Sequence, residues 1–313
     1  MIITTGGTIA SQIDAPLVEG PALVQAVPEL LNHADIEVEE FVRIGSSKMT
    51  PVIWLSLVKR IRTLLVERKD LTAIVITHGT DSMEETSFFL NLTHISPVPI
   101  VMVGSMRSSD EISADGPANL LHAVRVSISP EAIGKGVLVV MNNTISAARD
   151  LLKMHNNRVD AFPPPESGYL GIIDNQNIIF YRSPVKPHTT QSIFDVYDLD
   201  SLPSVDILQD FAGFDKEILN YFLNRNNEGL VISSFAGGRT SNGINQIYNL
   251  PNDHRPVVIS SSIKYGRIRR NAPSSSPIII ARDLPANKAR ILLMLALTKT
   301  QHIRKIQEIF DEY

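Results

Sequence analysis

The 313-residue chain has no cysteine. Disulfide frameworks, thiolate nucleophiles and cysteine-ligated metals are therefore excluded. It has no excess of basic residues either. Its 29 Lys and Arg stand against 33 Asp and Glu, a formal charge of −4, so nucleic-acid binding driven by net charge is not expected. Long apolar runs are missing as well. The longest, Ile291 to Leu297, is far short of the roughly 20 residues that span a bilayer, so no membrane partner is expected. Neither the GxGxxG dinucleotide fingerprint nor the P-loop pattern occurs. What remains is an ordinary globular composition, 43% hydrophobic and 20% charged, which rules out disordered and collagen-like chains.

The first residues, Met1-Ile2-Ile3-Thr4-Thr5, run directly into Gly6-Gly7-Thr8. That is a buried strand followed by a tight turn. A secretory leader would need a basic segment and then an apolar core. A cytoplasmic location is the expectation.

Short apolar runs alternate with amphipathic stretches through the first half. Strands are predicted at 2–4, 38–44, 73–77, 100–103 and 137–141, and helices at 22–31, 52–66, 83–92 and 117–126. Such alternation predicts an α/β fold: a doubly wound, mostly parallel sheet with helices on both faces. After Pro163-Pro164-Pro165 the pattern changes. Runs at 169–173 and 178–181 flank Asp174-Asn175-Gln176-Asn177, which predicts a β-hairpin. Residues 183–203 contain three prolines and read as a linker, leaving domains at 1–182 and 204–313. The second, smaller α/β set has strands at 205–208, 230–233 and 257–260. Its helices are at 216–223, 244–248, 288–298 and 302–313.

The segment richest in chemistry is Ile76-Thr77-His78-Gly79-Thr80-Asp81-Ser82-Met83-Glu84-Glu85. A strand ends, a glycine turn follows, and a helix opens. Ser82 with Glu85, and Asp81 with Glu84, fit capping boxes. Ligands of open α/β sheets bind at the carboxyl ends of strands. Thr4-Thr5-Gly6-Gly7-Thr8 is a second junction of this kind. A threonine there becomes a nucleophile if a base takes its proton, and a desolvated lysine such as Lys153 can serve as that base. Taken singly, each segment also fits an ordinary strand–turn–helix junction, and Lys153 an ordinary surface lysine.

Together these segments resemble the bacterial-type L-asparaginases and asparaginase-glutaminases. Further matching stretches are Met102-Val103-Gly104-Ser105-Met106-Arg107, Ser113-Ala114-Asp115-Gly116-Pro117 with Asn119-Leu120, Val139-Val140-Met141-Asn142, Ala148-Arg149-Asp150 and Asn287-Lys288-Ala289-Arg290. They occur in the family's order and cover nearly the whole chain. The resemblance implies hydrolysis of the asparagine side-chain amide, and in some members that of glutamine, with no metal and no cofactor. It implies Thr8 as the nucleophile, with Thr80, Asp81 and Lys153 as the second catalytic group. The substrate contacts it implies are Ser46, Ser47, Gly79, Thr80, Asp81 and Ser105. Ser46 would hold the α-carboxylate, Asp81 the α-ammonium, and the Thr80 backbone, opening a helix, the oxyanion. It also implies a homo-oligomer, a dimer of dimers, whose sites lie between the N-domain of one subunit and the C-domain of another.

The chain departs from the family pattern in three places. The loop from Ser11 to Gly20 is short, and no tyrosine precedes Tyr169. Ser47 stands where glutamine is common. The stretch at 265–273, which matches a segment that supplies a glutamate to the neighbouring subunit, has arginines and no carboxylate. Weaker selection for a free α-amino group is expected. Three other readings therefore stay open at this point. One is a hydrolase of the same fold acting on another small amide, cyclic imide or lactone. Another is a silent small-ligand binder. The third is the amidase subunit of a tRNA-dependent amidotransferase.

Overall fold

The computed structural model describes residues 1–10, 19–251, 254–273 and 276–313. It divides into two compact units, Met1–Asp198 and Leu199–Tyr313.

The first unit is built on eight strands: β1 (Ile2–Gly6), β2 (Val38–Ile44), β3 (Ile74–Thr77), β4 (Ile100–Val103), β5 (Val137–Met141), β6 (Thr144–Ala147), β7 (Gly171–Asp174) and β8 (Asn177–Phe180). Their order in the sheet is 2-1-3-4-5-6-7-8. The first five run parallel, and β6, β7 and β8 are added antiparallel. The helices are α1 (Gly20–Gln25), α2 (Pro51–Glu67), α3 (Met83–Thr93) and α4 (Gly116–Ser127).

Parallel strands are buried on both faces, and the sequence shows why. Ile2, Val75, Val101, Val103, Leu138 and Val140 cluster with Leu120, Ala123 and Val124 of α4. The residues that alternate with them, Ile3, Ile74, Ile76, Met102 and Val139, are also buried. Helices α2 and α3 pack on one another through Trp54 and Phe89, stacked at 5.6 Å. The Trp54 indole donates to the Thr86 hydroxyl at 2.8 Å, so burial leaves no orphaned N–H. Helix α2 starts where its sequence says it should. Pro51 opens it, and the Thr50 hydroxyl accepts from the Ile53 amide at 3.3 Å.

Two expectations give way to local chemistry. The helix expected at 22–31 is broken into α1 and a 3-10 turn at Pro28–Asn32, because Pro28 has no N–H and its ring blocks the preceding turn. Strand β6 was not anticipated. Asn142 and Asn143 both have positive φ, 46° and 61°, and form the two-residue turn that reverses β5 into β6. The hairpin expected near 169–181 is present as β7 and β8. Residues of the 183–198 stretch pack in this unit. Phe194 and Val196 are fully buried, and the Ser192 hydroxyl donates to the Leu92 carbonyl.

The second unit is a four-stranded parallel sheet of β9 (Val205–Gln209), β10 (Gly229–Ser234), β11 (Val257–Ser261) and β12 (Ile278–Ile280), in the order 12-11-10-9. It carries α5 (Lys216–Leu223), α6 (Ala286–Leu297) and α7 (Ile303–Glu312). Its core joins Leu230, Ile232, Val257 and Ile259 with Leu219, Ile244 and Ile247. The helix expected at 244–248 is a 3-10 turn, Asn245–Asn249.

Candidate active site

In a sheet ordered 2-1-3-4-5 the chain reverses its winding between β1 and β3. Loops leaving the carboxyl ends of those strands diverge there and open a crevice. The turn after β1 carries Thr8 and the turn after β3 carries Thr80 and Asp81. The two candidate threonines thus flank the topological switch point.

Three hydrogen bonds lock the ends of the strands together. The Thr5 hydroxyl donates to the Thr77 carbonyl at 2.8 Å, the Gly7 amide to the Ile44 carbonyl at 3.1 Å, and the His78 amide to the Val103 carbonyl at 2.8 Å. The two turns then meet backbone to backbone at Gly7 and Gly79. Gly7 has φ +87°, and a Cβ built on it would lie 2.2 Å from the Gly79 nitrogen. No other residue type fits there. Among the described residues, none bonds the Thr8 hydroxyl, which is partly exposed.

Lys153 comes from the far side of the β5–β6 hairpin. The Ala148 amide bonds the carbonyl of Val137, at the amino end of β5. Residues 148–150 then turn, with the Asp150 and Leu151 amides on the Ala147 carbonyl, and Leu151 and Leu152 are buried on the way to Lys153. The Lys153 ammonium arrives 2.9 Å from Thr80 Oγ1 and 3.0 Å from Asp81 Oδ1. Its side chain is 18% exposed and that of Asp81 is 64% exposed. With so exposed an acid the pair contributes little to stability. What it supplies is orientation, because it directs the ammonium onto the Thr80 hydroxyl.

Ser46 lies in the 3-10 turn that follows β2 and is buried. Its hydroxyl accepts from the Asp81 amide at 3.0 Å, and its carbonyl accepts from the Ser82 hydroxyl at 2.7 Å. An accepting hydroxyl keeps its own hydrogen, and among the described residues no acceptor is set against it. Ser47 beside it is exposed, and Gly79 is buried against Ser46. Ser105, after β4, is fully buried and donates its hydroxyl to the Arg107 carbonyl at 2.9 Å.

The expected capping boxes do not form. Ser82 is the N-cap of α3 but makes no side-chain cap bond, because its hydroxyl is turned to Ser46. Glu84 accepts from the Lys153 amide at 2.5 Å. Helix α3 begins at Met83, so the Thr80 N–H precedes its first turn rather than opening it. The neighbouring Asp81 N–H is already taken by Ser46.

His78 is wholly buried. Desolvation pushes its pKa down to about 4, against the opposing pull of its hydrogen bond to the Gly79 carbonyl. The imidazole is therefore neutral at pH 7, and Nδ1–H donates to that carbonyl at 2.6 Å.

Comparison with known proteins follows the same division of the chain. The asparaginase N-terminal family model matches residues 1–186, and the glutaminase/asparaginase C-terminal domain model matches residues 204–310. The chain belongs to the asparaginase family. It is 39% identical to the probable periplasmic L-asparaginase of Haemophilus influenzae, over all of this chain and 92% of that protein. Identity to the glutaminase-asparaginase of Pseudomonas fluorescens is 36%, over all of this chain and 90% of that one. The crystal structure of a probable cytoplasmic L-asparaginase from Campylobacter jejuni superposes with a TM-score of 0.94 at 41% identity, covering all of this chain and 98% of the other.

For this asparaginase-family chain, sequence reading missed the parts that hold the site without facing it. Asp115 accepts from the Met106 and Arg107 amides at 2.9–3.1 Å and from Asn119 Nδ2 at 3.0 Å. Asn119 also donates to the Gly104 carbonyl. The pair fixes the loop after β4. The sequence marked Asp115 and Asn119 only as members of a stretch that matches the family, with no role attached. The shortened loop expected after Thr8 falls mostly on residues 11–18, outside the described residues. In the second unit, Arg267 and Arg269 of the arginine-rich stretch are exposed, while Arg270 donates to the Tyr248 hydroxyl. Among the described residues no helix is long and apolar enough to cross a membrane, and no cluster of three His, Cys, Asp or Glu side chains is suited to a metal ion.

Proposed function

We propose that the chain hydrolyses the side-chain amide of L-asparagine to aspartate and ammonia, with glutamine as a secondary substrate, through a threonine acyl-enzyme. The observation that carries this reading is the Lys153 ammonium bridging Thr80 Oγ1 and Asp81 Oδ1 at 2.9 and 3.0 Å. It sits beside a threonine turn that shares the same crevice, in a chain whose relatives are named asparaginases and glutaminase-asparaginases.

In the proposed reaction Thr8 Oγ1 bonds to the amide carbon as its proton passes to Thr80 Oγ1, which gives its own proton to Lys153 Nζ. Lys153 enters this step as the amine, with a lone pair on Nζ, and leaves it as the ammonium. The carbonyl electron pair moves onto oxygen. When it returns, the carbon–nitrogen bond breaks, and nitrogen leaves as ammonia with the relayed proton. Water, losing a proton to the same relay, adds to the ester. The carbon–Oγ1 bond then breaks and Thr8 recovers its hydrogen. Ser46, with a hydroxyl hydrogen to donate, would hold the substrate α-carboxylate, with Ser47 at its rim. Asp81, charged and open to solvent, would hold the α-ammonium. Gly79 and the buried Ser105 would shape the floor.

The reading extends to a homo-oligomer, a dimer of dimers, in the cytoplasm. The location is supported by the Campylobacter jejuni structure, that of a probable cytoplasmic L-asparaginase, while the Haemophilus influenzae relative is named periplasmic. A second reading, a related amide without the α-amino group, is favoured by the arginines of the 265–273 stretch, where no carboxylate stands.

One assay tests the proposal: ammonia release from asparagine, glutamine and a panel of amides lacking the amino group. Asparagine is expected to give the highest kcat/KM. No ammonia from any of them would refute the reading. A preferred substrate without the amino group would replace asparagine with the second reading.

A further inference from the structure

The catalytic lysine of the proposed reaction sits in a segment with no helix or strand of its own. Residues 148–154 are held by the Ala148 amide on Val137, the Leu151 amide on Ala147 and the Met154 amide on Ala161. At Lys153 itself the backbone is held by a side chain: its N–H donates to Glu84 Oε1 at 2.5 Å. Glu84 is in the first turn of α3 and is 8% exposed. A carboxylate is seldom buried without a partner that repays its desolvation. The helix N-terminus favours a negative charge at this place.

The three acceptors of Lys153 are Thr80, Asp81 and Glu84, all within five consecutive residues. Two hold the ammonium and one holds the backbone from which it grows. A lysine side chain has four rotatable carbon–carbon bonds and adopts many rotamers. Fixing its amide against the same turn that receives its ammonium makes donor and acceptors move as one body.

We propose that Glu84 is the positioning residue for Lys153: its carboxylate pins the Lys153 amide so that the ammonium stays on the Thr80 hydroxyl. The inference rests on the reading of Lys153 as the proton relay. Glu84 acts as a hydrogen-bond acceptor and takes no proton in the reaction. Glutamine, which keeps an oxygen in the same place, should replace it. Alanine should not.

The test compares Glu84→Ala with Glu84→Gln in the full chain, each checked for native circular dichroism. Glu84→Ala is expected to lower kcat on the best amide substrate about 10- to 100-fold, the size of effect that follows from misplacing a reacting group, with KM within about threefold. Glu84→Gln is expected to recover most of that loss. A second readout needs no substrate. The side-chain carbon NMR signal of Lys153, assigned by its disappearance in Lys153→Arg, should stand apart from those of exposed lysines in the wild type and in Glu84→Gln. It should merge with them in Glu84→Ala. If Glu84→Ala does not fold, Glu84→Asp, which withdraws the acceptor by one methylene, takes its place.

Three results would each overturn the proposal: a glutamine variant as impaired as alanine, a near-native kcat in the alanine variant, or a Lys153 signal that alanine leaves unmoved. If the wild type releases no ammonia from any amide, the assigned reaction falls, and the NMR comparison alone decides the role of Glu84.

Discussion

Gly7 and Gly79 lie backbone against backbone, so close that a Cβ on Gly7 would stand 2.2 Å from the Gly79 nitrogen and 2.3 Å from its Cα. A Cβ on Gly79, in turn, would fall 2.6 Å from Ser46 Oγ and 3.0 Å from the Gly7 Cα. The loops after β1, β2 and β3 therefore converge on two residues without side chains. The turns that carry Thr8, Ser46 and Thr80 meet there with no side chain between Gly7 and Gly79.

The first consequence concerns that contact. Gly7→Ala puts a methyl into backbone atoms and forces an L-residue to φ +87°, a strain on the order of 1–3 kcal/mol before the clash is counted. Turnover should fall at least about 100-fold, with a lower Tm but a cooperative unfolding transition. Native-like kinetics in Gly7→Ala would show that the turns are free to separate.

Thr8→Ala should reduce turnover below about one-thousandth of the wild-type value, as removal of a nucleophile does. The Tm should stay close to the wild-type value, because the hydroxyl is partly exposed and unbonded among the described residues. A mass shift corresponding to an acyl group on the Thr8 peptide, trapped by acid quench, checks the same assignment directly.

Ser46→Ala removes the acceptor of the Asp81 amide. Leaving such a group unpaired costs about 1–3 kcal/mol, and the hydroxyl that would meet the substrate carboxylate goes with it. A rise in KM of about tenfold or more is expected, with a smaller fall in kcat. A kcat defect at unchanged KM would place Ser46 in the chemical step and not in binding.

The buried imidazole of His78 sets a pH dependence. Its folded-state pKa of about 4 lies below the ordinary value of 6.5, so the unfolded chain binds the proton more readily. The stabilisation is whole above pH 6.5 and is lost as the pH falls toward 4. Between pH 7 and 4.5 this group should cost about 2 kcal/mol. Burial lowers the pKa of His94, His122 and His188 as well, adding in the same direction. Urea unfolding at pH 7 and 4.5 measures the loss, and His78→Gln should flatten its steepest part.

A homo-oligomer, a dimer of dimers, is expected in solution. Sedimentation velocity of the full chain reads this directly. A fully active monomer would contradict the expectation.

Much was legible in the residues alone. Uniform apolar runs such as Ile74-Val75-Ile76 and Ile100-Val101-Met102-Val103 announced strands buried on both faces, and the glycine turns behind them marked strand ends. Those signals are local, since side-chain period and turn chemistry act over a few residues. They gave the α/β class and marked the two turns, while the roles expected of Thr8, Thr80 and Asp81 came from the resemblance to the family. Short strands escaped them. Thr144-Ile145-Ser146-Ala147 and Ile278-Ile279-Ile280 are too brief to show a period. Pro28, by contrast, was a visible break that outweighed an amphipathic stretch.

The sequence also named polar partners by proximity and was misled. Ser82 and Glu84 looked like cap residues serving their own helix. Yet Ser82 holds the Ser46 carbonyl, 36 residues away, and Glu84 holds the Lys153 amide, 69 residues away. Only the tertiary structure decided those pairings. A cap bond contributes about 1 kcal/mol, whereas a buried carbonyl or carboxylate left without a partner costs as much or more. Once the sheet order brings three loops and the segment after β6 to one edge, the larger penalty chooses the partners.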